Sequence, residues 1–345
     1  MMAARFYEPG VIRLEQVEVP EISSDELLVR NHAVLTCGTD LKMYLRGHRL
    51  AKPPLIIGHE FAGTIERVGR DVRGFEVGMN VVSANSAPCM SCYYCRVGQH
   101  NLCEHLDEAL IGFSSPGAYA EYVRLPGRIV RQSTYKIPQG LSFEEAAFLE
   151  PLACVVHGEE LAKISPADFV LVIGAGPIGL LVLQAAKAAG ASKVFAIEPI
   201  EQRRKLARQL GANEVFDPTQ SDVGKEIADR TEGLRTNVAF ECVGSQSAFD
   251  TALRITGRRA MIVMVGMAVK PLEVPFLRLW GHEKEITTCT GYVDEYPTAI
   301  ALLADRRVMV EPMITGKIKL SELVEKGIQE MIQHPEHHVK ILVAP

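Results

Sequence analysis

Six residues, Gly174-Ala175-Gly176-Pro177-Ile178-Gly179, constrain the fold of this 345-residue chain more than any other feature. They follow the apolar run Phe169-Val-Leu-Val-Ile173 and precede an Ala/Leu-rich stretch, so strand, tight turn and helix succeed one another without a linker. Such a unit belongs to a parallel sheet with right-handed crossovers. Gly174 permits the tight turn, Gly176 lets a pyrophosphate approach the backbone, and Gly179 lets the helix pack close to the sheet. Free N–H groups such as that of Ile178, and the positive end of the helix dipole where Pro177 begins the helix, then favour phosphate.

A lone glycine motif is weak, but this one has an acidic partner. Glu198 ends the next strand-like run, KVFAIEP, where a carboxylate accepts from a ribose 2′-hydroxyl and repels a 2′-phosphate. NAD is therefore expected over NADP. Arg203 and Arg204 follow, and they either attract such a phosphate or sit on a solvated helix face.

The rhythm of the chain around this turn divides it. From residue 1 to about 150, short runs such as ELLVRNHAV, EFAGTIERVG and AEYVRL are punctuated by Gly and Pro, which predicts a mainly β body. From 151 to 285, strand-like runs alternate with helical ones, the pattern of a doubly wound α/β sheet. Near residue 286 the regularity ends, and the tail leads to a last helix and strand. The expected organisation is a β domain made of 1–150 and 286–345, with a dinucleotide domain of 151–285 inserted in it. The uncharged stretch 169–186 is long enough to mislead a hydropathy scan, but its central glycines and proline favour strand, turn and helix over a membrane span.

Glu8 and Glu15 interrupt any apolar leader, so no export signal is visible and a cytoplasmic location is expected. The eight cysteines should then be reduced, and clusters among them point to metal or catalysis. Cys89, Cys92, Cys95 and Cys103 make one cluster in the lobe 89–103, a soft four-sulfur set suited to structural zinc. An iron–sulfur cluster is the competing reading, but the ferredoxin run has three residues before its last cysteine, and here seven intervene. Cys37, Thr39 and Asp40 in LTCGTDLKMY, His59 and Glu60 in PLIIGHEFAG, and Glu150, Cys154 and His157 in FLEPLACVVHG hold further ligand chemistry. One thiolate, one imidazole and one carboxylate leave a fourth zinc position open, as a catalytic site needs. Singly, each has a bland reading as a core thiol, a loop histidine or a helix carboxylate. A net charge of −5 gives no sign of a nucleic-acid surface.

These motifs together resemble those of the zinc-containing medium-chain dehydrogenases over essentially the whole chain: Cys37-Gly38-Thr39-Asp40, Gly58-His59-Glu60, the four-cysteine lobe, Glu150-Pro151 and the glycine turn. Glu150-Pro151 is similar to the sorbitol and butanediol dehydrogenase branch. The resemblance implies a Rossmann domain plus a GroES-like β domain, two zinc ions per chain, NAD, a small alcohol or ketone substrate and a homo-oligomer, dimer or tetramer. It places Cys37, His59 and Glu150 on the catalytic zinc. Glu60 is a direct or exchanging ligand in some members and supports the ligands in others. Thr39 falls on the hydroxyl that relays the substrate proton. Glu198, Arg203 and Val265 join the glycine turn as cofactor-binding positions, and Cys154 is read as packing. Lys42 stands where many relatives carry a relay histidine. The segment Thr290-Gly291-Tyr292-Val293-Asp294-Glu295-Tyr296-Pro297 looks closer to butanediol dehydrogenases than to sorbitol dehydrogenases, which carry an arginine at the position of Gly291. The implied activity is hydride transfer between NAD and a secondary alcohol, a small vicinal diol first, with L-threonine or a polyol phosphate as alternative substrates. A non-catalytic zinc and dinucleotide-binding protein is the alternative of another class.

Overall fold

Near-continuous burial of Leu27, Leu28, Val29, Ala33, Val34 and Leu35 marks Leu27–Leu35 as a central strand. In the computed structural model, which describes residues 1–345, this strand lies inside a seven-stranded sheet. The order runs Ile314–Lys319, Lys340–Ala344, Leu27–Leu35, Glu60–Val68, Asn80–Ser83, Thr134–Lys136, and Tyr122–Leu125 also pairs with the central strand. A three-stranded sheet of Val11–Gln16, Met2–Glu8 and Leu55–Ile56 completes the β body. Phe6, Leu27, Phe61, Tyr119 and Val343 meet in its core. The chain's last strand is thus tied to a sheet built largely from its first third, with Leu342 and Val343 paired to Leu35 and Val34.

The second sheet is wholly parallel. Its order is Glu214–Phe216, Lys193–Ile197, Phe169–Ile173, Thr236–Glu241, Thr256–Met264, Glu285–Thr288. Counted along the chain this is 3-2-1-4-5-6, the doubly wound order whose direction reverses between Phe169–Ile173 and Thr236–Glu241. Ligands of such sheets bind beyond the carboxyl ends of the strands at that switch point. Leu171, Phe195, Phe249 and Ile262 lie in the core of this sheet and its helices.

The chain divides into two compact units, Met1–Pro151 with Ile314–Pro345, and Leu152–Met313. The return to the β unit therefore falls at Ile314, later than the expected 286. The physical reason is a sixth strand that the sequence pattern hid. Glu285–Thr288 has only four residues, half-exposed or exposed, so it lacks the apolar run of the other five. The helix Tyr296–Ala304 also belongs to this unit. No helix is long and apolar enough to cross a membrane.

Candidate active site and cofactor turn

The four lobe cysteines converge. Their sulfurs all lie within 4.8 Å of one another, with Cys89 Sγ 3.9 Å from Cys95 Sγ. A tetrahedron with metal–sulfur bonds of about 2.3 Å has edges of about 3.8 Å, so the set fits zinc. Backbone N–H groups of Ser91 and Cys92 donate to Cys89 Sγ at 3.4 and 3.3 Å, and those of Cys89 and His105 donate to Cys103 Sγ at 3.2 and 3.4 Å. Such donors stabilise thiolates, and the Ser91 contacts first of all draw the Cys89 thiol down to about 5. Four thiolates around one ion would leave no coordination position open, which is what a structural site requires. Cys95→Ser should therefore lower the melting temperature or soluble yield while the folded fraction keeps a near-normal KM. Thermal unfolding beside steady-state kinetics checks this, and full stability with selective loss of turnover would contradict it.

The second cluster lies in the same unit, with His59 and Glu60 buried and Cys37 half-buried. Cys37 caps the helix Gly38–Arg46, its sulfur accepting from Thr39 N–H at 3.5 Å, while Asp40 Oδ2 accepts from Cys37 N–H at 2.9 Å. This reciprocal cap fixes the thiol at a helix start. His59 and Glu60 lie where the chain enters the strand Glu60–Val68. The ligand atoms of Cys37, His59 and Glu60 lie within 4.8 Å of one another. His59 is 4% exposed and Glu60 1%, yet His59 Nδ1 and Glu60 Oε1 have no hydrogen-bond partner. Glu60 Oε1 is thus a buried, unsatisfied carboxylate oxygen beside a thiol, which is costly unless a further group meets it, and a divalent cation suits this donor set.

Glu150 is not in that group; it lies on the helix Leu149–Ala162, with Asn85 Nδ2 donating to its Oε1 at 3.1 Å. Burial pushes its carboxyl up to about 7, opposed by His59 and reinforced by Glu60. Of the expected trio, Cys37 and His59 come together, but the carboxylate within 4.8 Å of them is that of Glu60, and Glu150 meets the group only through the charges of His59 and Glu60 acting on its carboxyl. Thr39 is half-buried beside Cys37. Lys42, half-buried, lies one turn further along the same helix.

Two supporting residues, Tyr119 and Lys340, escaped the sequence reading. Asp40 also accepts from Tyr119 Oη at 2.7 Å and faces His59 Nδ1 at 3.5 Å. Burial favours a neutral His59, but the charges of Cys37 and Asp40 outweigh it and hold its pKa well above the usual value. Lys340, 2% exposed, donates to Glu60 Oε2. The only sign of that pairing in the sequence is a lysine set in the apolar run VKILV.

In the second unit, Gly174 has φ +90, and a Cβ there would lie 2.6 Å from Val243 Cγ2. A Cβ on Gly179 would lie 1.8 Å from Gly174 O, so helix and turn touch only because that side chain is absent. Gly176 caps the helix Pro177–Ala188 with no side-chain cap, and its own Cβ position meets nothing nearer than Arg203 Nη1 at 4.0 Å. An open, uncapped helix start with one guanidinium beside it fits a pyrophosphate. Glu198 accepts from Ala175 N–H at 2.8 Å and Ile200 N–H at 2.9 Å, so it braces the turn. The two arginines differ. Arg204 pairs with Asp217 at 3.0 Å, whereas Arg203 lies at Gly176. Val265 donates its N–H to Glu241 O at 2.9 Å, at the carboxyl end of the strand Thr256–Met264.

The segment around Gly291 is held from below. Glu295, 2% exposed, pairs with His157 Nδ1 at 2.7 Å and accepts the Val293 N–H. Cys154 contributes its carbonyl, which accepts from Cys289 Sγ at 3.4 Å.

The alcohol dehydrogenase GroES-like domain family matches residues 23–138, and the zinc-binding dehydrogenase family matches residues 177–305. Sorbitol dehydrogenase of Bacillus subtilis (strain 168) is 31% identical over 351 residues, covering 100% of this chain and 97% of that protein. The solved 2R,3R-butanediol dehydrogenase of Bacillus subtilis is 31% identical, with a TM-score of 0.91 over 100% of this chain and 99% of its own. A zinc-binding dehydrogenase of Sinorhizobium meliloti 1021, solved with NADP bound, is 30% identical with a TM-score of 0.91, covering 100% of this chain and 99% of its own.

Proposed function

The chain belongs to the zinc-dependent medium-chain alcohol dehydrogenase family, and on that premise we propose that it interconverts a small vicinal diol and its hydroxyketone with NAD. As a member it is an oxidoreductase of the polyol and diol type that uses zinc and a nicotinamide dinucleotide. The observation that carries the site assignment is the convergence of half-buried Cys37 with buried His59 and Glu60, with Glu60 Oε1 unsatisfied.

When bound, zinc acts as a Lewis acid on the substrate oxygen and the nicotinamide takes or gives the hydride. Cys37, His59 and Glu150 would hold the metal, with Glu60 as a direct or exchanging ligand. Asp40 orients the His59 ring, so the imidazole needs no rearrangement when the metal arrives. Thr39 passes the substrate's hydroxyl proton toward solvent. Lys340 keeps the charge of Glu60 balanced inside the protein. Catalysis by this chain is then largely position and electrostatics.

Cofactor choice rests on Glu198, with Arg204 paired to Asp217 and Arg203 beside the phosphate turn. Glu198→Ala should raise the KM for NAD roughly ten- to hundredfold, the loss of a charged hydrogen bond of about 1.5–3 kcal/mol, and narrow the preference over NADP. Kinetics with both dinucleotides measure it. A wild type that already prefers NADP would refute the role given to Glu198.

Substrate size rests on Gly291, which adopts φ +60 and offers no side chain to a long polyol. A small diol needs no such contact. A missing charged donor should cost a hexitol about 1.5–3 kcal/mol, or roughly ten- to hundredfold in kcat/KM. The experiment compares 2,3-butanediol with sorbitol, xylitol and L-threonine under one set of conditions. A tenfold advantage for sorbitol or threonine would remove the diol reading and leave the family assignment intact.

A further inference from the structure

Outside both zinc sites, the sequence His334-Pro335-Glu336-His337 forms a closed turn just after the helix Glu330–Gln333. His337 N–H donates to His334 O at 3.0 Å, the first-to-fourth hydrogen bond of a β-turn, with proline at its second position. That bond brings the first and fourth side chains together. The two imidazoles stack, with centroids 5.4 Å apart and planes 15° from parallel. Glu336 lies between them: its Oε1 is 3.7 Å from His334 Nδ1 and 3.7 Å from His337 Nε2.

Those distances decide what the group can do. At 3.7 Å neither imidazole makes a hydrogen bond to the carboxylate. Two ligand atoms bound to one zinc or nickel ion at about 2.1 Å lie about 3.0–3.5 Å apart, for octahedral or tetrahedral angles. The three ligand atoms all fall within 4.8 Å of one another, so only a small side-chain adjustment separates them from a shared ion. Their side chains are about half exposed, 47%, 46% and 52%, which leaves room for water to complete the coordination sphere. The proline-containing turn holds the backbone already, so little ordering is required on binding.

A second candidate, His157 with Glu160 and Glu295, has comparable ligand spacing but is already satisfied. His157 and Glu295 are hydrogen-bonded at 2.7 Å, and Glu295 also accepts from Val293 N–H. His338, next to the turn, is likewise engaged elsewhere, facing Glu330 at 3.4 Å and Thr315 at 3.4 Å.

We propose that His334, Glu336 and His337 form a third, solvent-accessible site for a divalent transition-metal ion, of the imidazole-and-carboxylate class that takes zinc or nickel. The site is labile. It has two neutral nitrogens and one carboxylate, against four thiolates in the lobe, and it must release water to bind. It is separate from the catalytic group, so filling it leaves turnover unchanged.

The test is calorimetric titration of Zn2+ into the untagged, already zinc-loaded enzyme, in a buffer that does not chelate metal. One further equivalent is expected, weakened at least tenfold in His334→Ala and in His337→Ala and retained in His338→Ala, with kcat/KM for the alcohol substrate the same in all four proteins. All three positions are on or near the surface, and matching melting temperatures verify the fold. Absence of a further equivalent in the wild type, or one that persists in both His334→Ala and His337→Ala, overturns the site. Neither result touches the tight zincs, so the family assignment stands or falls independently.

Discussion

Replacing His59 by alanine should leave a folded chain that holds about one tight zinc instead of about two and turns over on the order of a thousandfold more slowly. His59 is buried beside Cys37 and Glu60, and its ring is oriented by Asp40 from the Cys37 helix. Without it the remaining ligands are a thiol and carboxylates, one of which is bound to Lys340. The metal's contribution to the transition state is several kcal/mol, and about 4 kcal/mol corresponds to that thousandfold loss. The lobe cysteines lie in a different cluster and should retain their ion. Metal content and kcat, measured on one preparation, decide the matter. A His59→Ala protein with both zincs and less than a tenfold loss of kcat would show that the buried group is not the catalytic centre.

The second large effect concerns stability. Lys340→Met should destabilise the protein by about 3–5 kcal/mol, because it leaves Glu60 charged in a dry site. Glu60 is 1% exposed and Lys340 2%, and the attraction of Glu60 holds the Lys340 ammonium above its usual pKa despite burial. Losing one partner costs more than losing both, since the penalty comes from the orphaned charge. The double variant Lys340→Met/Glu60→Gln should therefore recover much of the loss, while remaining impaired in zinc binding at the catalytic site. Chemical denaturation of the wild type and the two variants gives the comparison through their transition midpoints. If Lys340→Met loses less than about 1 kcal/mol, the ion pair is not fully desolvated and this account of Glu60 fails.

What was legible in the sequence was what is local. The strand, glycine turn and helix around Gly174 are contiguous, so their joint pattern could be read directly, and the short spacing of Cys89, Cys92, Cys95 and Cys103 announced a single ion. Cys37 and Asp40 stand three residues apart, near enough for the helix cap to be implicit in the motif. Partnerships across the chain were not legible. Glu60 and Lys340 are 280 residues apart, and only the pairing of the last strand with the central one brings them together. The same holds for His157 and Glu295, separated by 138 residues. Arg203 and Arg204 look equivalent as neighbours, yet one helix step turns the first toward Gly176 and the second toward Asp217. The strand Glu285–Thr288 was missed for another reason. It is short and poorly buried, so composition carries almost no trace of it. Glu150 illustrates a finer limit, for the sequence placed it with the zinc ligands but could not reveal that Glu60 comes into closer reach.

The most direct test of the central claim is the initial rate of NAD reduction with 2,3-butanediol by one preparation in three states: zinc-loaded, stripped of its accessible zinc by a chelator, and restored with Zn2+. The account predicts robust activity, its loss on stripping while the lobe ion and the fold remain, and its recovery with about one zinc returned per chain. Activity that survives removal of that zinc, or a fully loaded and folded enzyme that oxidises no secondary alcohol with either dinucleotide, would contradict it.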